Sequence, residues 1–179
     1  MRIGLFGGSF NPPHIGHGIA VYYLLESSPL EEIWLIPTHR HAFDKQLVGF
    51  DARVEMCSLL AKPFGGRVRV CTIEGERDEV SYTIDTVREL SRRYPDHHFE
   101  WIVGSDILRE TAQWKEFDTL TALIPFRILS RPGFEGGSGV DMPAISSSEI
   151  RRRLARGDSL EGLVPTRVLE YIQHKGLYL

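Results

Sequence analysis

The apolar positions of this chain fall into short runs that alternate with longer stretches of helical period. Ile3 to Phe6 is an apolar run halted by Gly7-Gly8, and Glu32 to Ile36 is a second, ended by Pro37. Runs of this kind predict strands buried on both faces. Val68, Val70 and Thr72 alternate and predict a third strand, while His98 to Val103 and Phe126 to Leu129 predict a fourth and a fifth. Helical spacing marks His14 to Ser27, through Ile15, Ile19, Tyr22, Tyr23 and Leu25. It marks Asp51 to Ala61, with Val54, Cys57 and Leu60 or Ala61 inward, and Ser81 to Tyr94, with Ile84, Val87 and Leu90 on one side. Asp106 to Ala112 and Lys115 to Leu123 read as short helices. Ser146 and Glu149 form a capping box that opens a helix to Arg156, stopped by Gly157, and Pro165 to His174 is a last helix with Gly176 beyond it. Thr38 to Gly49 and Arg131 to Gly139 read as loops.

Strands alternating with helices predict an α/β fold: a doubly wound, open parallel sheet with helices on both faces, followed by a helical C-terminal part. A length of 179 residues fits a single domain spanning 1–179. Ligands of such sheets bind beyond the carboxyl ends of the strands. The chemistry is therefore expected in the loops Gly7 to His17, Thr38 to Gly49, Glu74 to Thr83 and Gly104 to Trp114.

Composition narrows the function. Hydrophobic residues make up 42% and charged residues 25%, enough for a core without a metal or disulfide staple. The formal charge of -3 argues against a nucleic-acid partner. Cys57 and Cys71 sit in apolar runs and read as buried small hydrophobes. No apolar stretch approaches the roughly 18 residues of a membrane span and no secretory leader is apparent, so a cytoplasmic protein without a membrane partner is expected. An assembly of several copies is compatible with the sequence.

The densest chemistry lies in Gly7-Gly8-Ser9-Phe10-Asn11-Pro12-Pro13-His14-Ile15-Gly16-His17. A strand feeds a glycine turn and a helix begins, so free backbone N–H groups and the positive end of the helix dipole are available to phosphate. His14 and His17 share one face of the first helical turn, where both can donate to phosphate oxygens. The segment is neither a P-loop nor a G-x-G-x-x-G turn. The His-x-x-His pair lacks further ligands at zinc spacing, so no protein metal site is expected.

This segment resembles the signature of the nucleotidyltransferases that share an (H/T)-x-G-H motif, and within them the bacterial nicotinate-nucleotide adenylyltransferases. Ser81-Tyr82-Thr83-Ile84-Asp85-Thr86, Val103-Gly104-Ser105-Asp106, Trp114, Arg131-Pro132-Gly133, Ile145-Ser146-Ser147-Ser148-Glu149-Ile150-Arg151 and Gly176-Leu177-Tyr178 are similar to that family's further motifs, in the same order. The resemblance implies a Rossmann-like nucleotidyltransferase fold. It also implies adenylyl transfer from ATP, carrying Mg2+, to nicotinate mononucleotide, with deamido-NAD and pyrophosphate as products in NAD biosynthesis.

By that resemblance His14, His17 and Arg151 are catalytic. Gly7, Gly8, Ser9, Phe10, Gly104, Asp106, Ser146 and Ser147 join them in binding ATP. Ser9, Phe10, Lys45, Ser81, Tyr82, Thr83 and Trp114 hold the pyridine nucleotide. Plainer roles stay open at this point: Ser146, Ser81 and Asp106 as helix caps, and Trp114 as core. The chain departs from the family pattern at Ser9, Asn11 and Ser105, where Thr, Asp and Ala are usual. It departs further after Pro37, where Thr38-His39-Arg40-His41-Ala42-Phe43-Asp44-Lys45 replaces Pro-Pro-His-Lys. The same chemistry on nicotinamide mononucleotide or another phosphorylated acceptor is an alternative, as is a non-enzymatic adenine-nucleotide-binding protein.

Overall fold

In a computed structural model, which describes residues 1–40, 47–109, 111–137 and 139–178, five strands form one parallel sheet. They are β1 (Arg2–Gly8), β2 (Glu32–Pro37), β3 (Val68–Val70), β4 (His98–Gly104) and β5 (Phe126–Leu129), in the order β3-β2-β1-β4-β5. The order reverses between β1 and β4, so a crevice opens where these neighbours end at Gly8 and Gly104. The helices are α1 (Ile15–Ser27), α2 (Phe50–Ala61), α3 (Thr83–Arg93), α4 (Phe117–Leu123), α5 (Ser147–Arg156) and α6 (Thr166–Lys175).

The period-two alternation of the strands divides the core. Ile33 and Leu35 of β2 pack with Val21 and Leu24 of α1 and with Cys57 and Leu60 of α2. Trp34 and Ile36 point the other way, into a cluster with Ile84, Val87 and Leu90 of α3 and Leu120 of α4. A third cluster joins Met56 of α2 to Ile150 of α5 and to Val168 and Ile172 of α6, and so seats the helical C-terminal part against the sheet's helices. No helix among the described residues is long and apolar enough to cross a membrane.

Some details differ from the sequence reading. In α1 the buried stripe is Gly16, Ala20, Val21, Leu24 and Leu25, while Ile19 and Tyr22 are exposed. Gly16 and Ala20 let the first turns of that helix lie close, and Leu24 and Leu25 fill the core further along. In α2 the inward residues are Arg53, Met56, Cys57, Leu60 and Ala61, and Val54 is only half-buried. Cys71 is likewise half-buried. The segment after β4 forms two 3-10 turns, Ser105–Arg109 and Thr111–Gln113, and α4 starts at Phe117, after a left-handed Glu116.

Candidate active site

A cleft of about 960 Å³ opens at the carboxyl ends of β1 and β4. Three helix N-termini line it: Gly16 and His17 of α1, Tyr82 and Thr83 of α3, and Ser146 to Ser148 of α5. Gly7, Gly8, Ser9, Phe10, His14, Gly104, Asp106, Trp114 and Arg151 line the same space. Every site residue expected from the sequence is therefore brought to one cleft except Lys45, which lies outside the described residues.

Gly7 near the end of β1 and Gly104 at the end of β4 each leave room that a side chain would fill. A Cβ on Gly7 would stand 2.5 Å from the Trp101 ring of β4, so the ring occupies the space a side chain would need. A Cβ on Gly104 would meet Asp106 Oδ1 at 2.3 Å and Arg131 Cδ at 2.7 Å. That position keeps room for the pair Arg131 Nη1 to Asp106 Oδ2, 3.3 Å. Asp106 therefore faces the cleft beside a cation and does not cap an α-helix.

His14 is the N-cap of α1 and is 6% exposed; His17 lies one turn on, with ring centroids 3.7 Å apart. The backbone N–H of His14 donates to His17 Nδ1 at 3.1 Å. That bond assigns the His17 ring proton to Nε2 and makes Nε2–H its donor. The buried Phe10, in the left-handed region at φ 45°, packs against the His17 ring in a tilted contact with centroids 4.9 Å apart. His14 Nδ1 is packed close to Gly16, 3.0 Å from where a Cβ on that glycine would stand.

Both imidazoles are neutral at physiological pH. Burial, and secondarily the Arg131 charge, pushes His14 down to about 4. Burial, then the charges of His14 and Arg131, holds His17 well below the ordinary histidine value. The unfolded chain takes up the His14 proton near 6.5 and the folded chain only near 4, so folding is opposed by acid between these values. The contribution of His14 to stability is complete above about pH 6.5, is lost progressively below it, and levels off under about pH 4. The total is on the order of 3 kcal/mol. Urea titrations of the parent and of His14→Gln should therefore diverge below pH 6.5, the parent falling more steeply. Parallel curves between pH 7 and 5 would count against a buried neutral imidazole.

The serines hold different bonds from those expected. Ser146 caps α5, its Oγ accepting from Glu149 N at 3.2 Å, but the Glu149 carboxylate turns away to Arg152 and Arg153, so only half of the capping box forms. Ser147 Oγ donates to Pro12 O at 2.8 Å, which ties α5 to the glycine turn. Arg151 Nη1 donates to Asn11 O at 2.7 Å, and Tyr178 Oη donates to Asn11 Oδ1 at 2.8 Å. Ser81 precedes the helix rather than opening it. It pairs with Arg40 through Ser81 N to Arg40 O at 2.9 Å, so the N-cap of α3 is Tyr82 and no side chain caps that turn. Lys115 Nζ lies 4.8 Å over the Tyr82 ring and pairs with Asp85. Trp114 lines the cleft on one side and packs on Phe117 and Phe126 on the other, so it is wall and core at once.

Three further residues at the site have no role assigned from the sequence, although Arg131 stands in one of the motifs of the resemblance. Arg131 follows β5 and lines the cleft. Glu74 is buried in its wall, its carboxyl pushed up by burial, and accepts from Thr86 Oγ1 at 2.9 Å and from His39 N at 3.3 Å. Arg53, also buried, donates to carbonyls beneath the glycine turn. Among the described residues no group of three or more His, Cys, Asp or Glu could hold a metal ion.

Residues 5–153 match the cytidylyltransferase-like family. An Anaeromyxobacter sp. (strain K) protein named "probable nicotinate-nucleotide adenylyltransferase" is 47% identical over 99% of this chain and 96% of its own length. A Geobacillus thermodenitrificans protein of the same name is 39% identical, over 99% of this chain and 86% of its own. Among solved structures, Plasmodium falciparum nicotinic acid mononucleotide adenylyltransferase complexed with NaAD superposes with a TM-score of 0.86, covering 99% of this chain and 97% of that one at 22% identity. At that identity the likeness bears on the fold alone.

Proposed function

The chain belongs to the nicotinate-nucleotide adenylyltransferases of the cytidylyltransferase-like family, and from that premise we propose how its cleft carries out the reaction. The enzyme transfers the adenylyl group of ATP to nicotinate mononucleotide and releases deamido-NAD and pyrophosphate. The observation that carries the assignment of the cleft is the convergence of three helix N-termini on one space, which suits several anionic groups held together.

The nucleophile is a phosphate oxygen of the mononucleotide, already anionic near neutral pH, so no general base is needed. It attacks the α-phosphorus, and the bond to the bridging oxygen breaks with the electron pair leaving on pyrophosphate. The protein's part is alignment and stabilisation of charge. Backbone N–H groups at Gly8 and Ser9 and the Nε2–H of His17 face the reacting phosphoryl group, and His14 stands behind them. The starts of α1 and α5, with Arg151 and Arg131, hold the outer phosphates, and Gly104 and Asp106 hold a ribose. Magnesium would accompany ATP as part of the substrate and would offset part of the phosphate charge.

The uncapped start of α3, with Lys115 beside Tyr82, forms the acceptor end. Its dipole favours a carboxylate on the pyridine ring by about 0.3–1 kcal/mol, and by up to about 2 where partly buried. Trp114 supplies a face for the cationic ring. Purified enzyme given ATP with each acceptor should prefer nicotinate over nicotinamide mononucleotide about tenfold or more in kcat/KM. Equal use of the amide would remove the acceptor assignment, and no deamido-NAD from either pair would overturn adenylyl transfer.

A further inference from the structure

We infer that Arg53 is a positioning residue for adenylyl transfer, joining the glycine turn to the acceptor end of the cleft. The inference rests on the reading above. Arg53 lies on α2, is 1% exposed, and has no ion-pair partner among the described residues. Its guanidinium is instead spent on main-chain carbonyls of separate segments. Nη1 donates to Ser9 O at 2.9 Å and to Thr38 O at 2.7 Å, Nε to Val48 O at 2.8 Å, and Nη2 to His39 O at 3.4 Å.

Burying a cation with no carboxylate in ion-pair contact is costly, and an apolar residue at this helix position would leave four carbonyl oxygens without their donor. What the planar fork adds is fixed geometry among its acceptors, which a lysine ammonium does not reproduce. Ser9 belongs to the turn that carries the phosphate donors. From His39 the bonds continue through Glu74, which accepts the His39 N–H. They continue also through Arg40, whose carbonyl accepts from Ser81 N next to the start of α3. One side chain thus sets the spacing between the phosphate turn and the acceptor end. Displacement of reacting groups by about 1 Å can cost about a hundredfold in rate.

The test compares Arg53→Lys and Arg53→Gln with Leu60→Ala, a core change on the same helix. Steady-state kinetics with ATP and nicotinate mononucleotide are measured together with Tm. Arg53→Lys should lose at least tenfold in kcat, with KM for ATP within threefold. Leu60→Ala, at an equal or larger loss of Tm, should keep kcat within twofold. Arg53→Lys with kcat within twofold of the parent, or with a loss that Leu60→Ala shares, would overturn the inference. Failure of both Arg53 variants to fold would do the same, because the residue would then be a support of the fold alone. An inactive parent would overturn adenylyl transfer itself, whereas an active parent with an indifferent Arg53→Lys overturns only the role of Arg53.

Discussion

His17→Ala lowers turnover at least about a hundredfold while the protein stays folded. The side chain offers one well-defined donor, Nε2–H, because His14 N occupies Nδ1. It is neutral in the folded protein, so its contribution is a directed hydrogen bond rather than a charge. Removal of one preorganised donor at a developing oxyanion costs about 10²–10³ in kcat. The structural loss is smaller. One bond from a backbone N–H goes, worth about 1 kcal/mol net, and Phe6 and Phe10 lose a ring neighbour. Steady-state kinetics alongside circular dichroism separate the two effects. Turnover within tenfold of the parent, in folded protein, would exclude His17 from the transition state.

Arg131→Ala comes next in size, with kcat/KM for ATP falling about thirtyfold or more. Its side-chain bonds are long, 3.3 Å to Asp106 and 3.4 Å to Ile145 O, so the guanidinium can turn to a phosphate at little expense. Bonds of a charged donor are worth about 1.5–3 kcal/mol, which spans the expected loss. The substitution also leaves the Asp106 carboxylate in the cleft without its cation. A second readout is independent of catalysis: since the Arg131 charge helps to hold His14 down near 4, the His14 titration followed by NMR should move upward in Arg131→Ala. It should stay below the unfolded value, because burial is the larger cause. An unmoved His14 together with unchanged kinetics would place Arg131 outside the site.

The sheet and its helices could be read in the sequence because their signals are local. Ile3 to Phe6 and Glu32 to Ile36 are apolar runs with firm stops, and Gly157 and Gly176 end helices in the left-handed conformation. The glycine turn was legible for the same reason: eleven consecutive residues carry it. Arg53 was not, because an arginine in an amphipathic helix ordinarily reads as solvated. Its acceptors lie 44, 15, 14 and 5 positions away and meet only in the folded chain. Helical spacing places a helix start at Ser81, but pairing with Arg40 claims its backbone, and the helix begins two residues later. Arg131 could have been found. Ligands bind beyond strand ends, and this marks Arg131 after β5 as well as it marks the loops after the first four strands.

The hydroxyl of Tyr178 reaches Asn11 across 167 positions of sequence. During translation the strand, the bend and both imidazole rings emerge early, but the strut that steadies Asn11 is synthesised much later. A nascent polypeptide short of that tyrosine holds Asn11 by fewer bonds, those from Val48 N and the Arg151 guanidinium among them, and the bend gains this one only once the distant segment has docked.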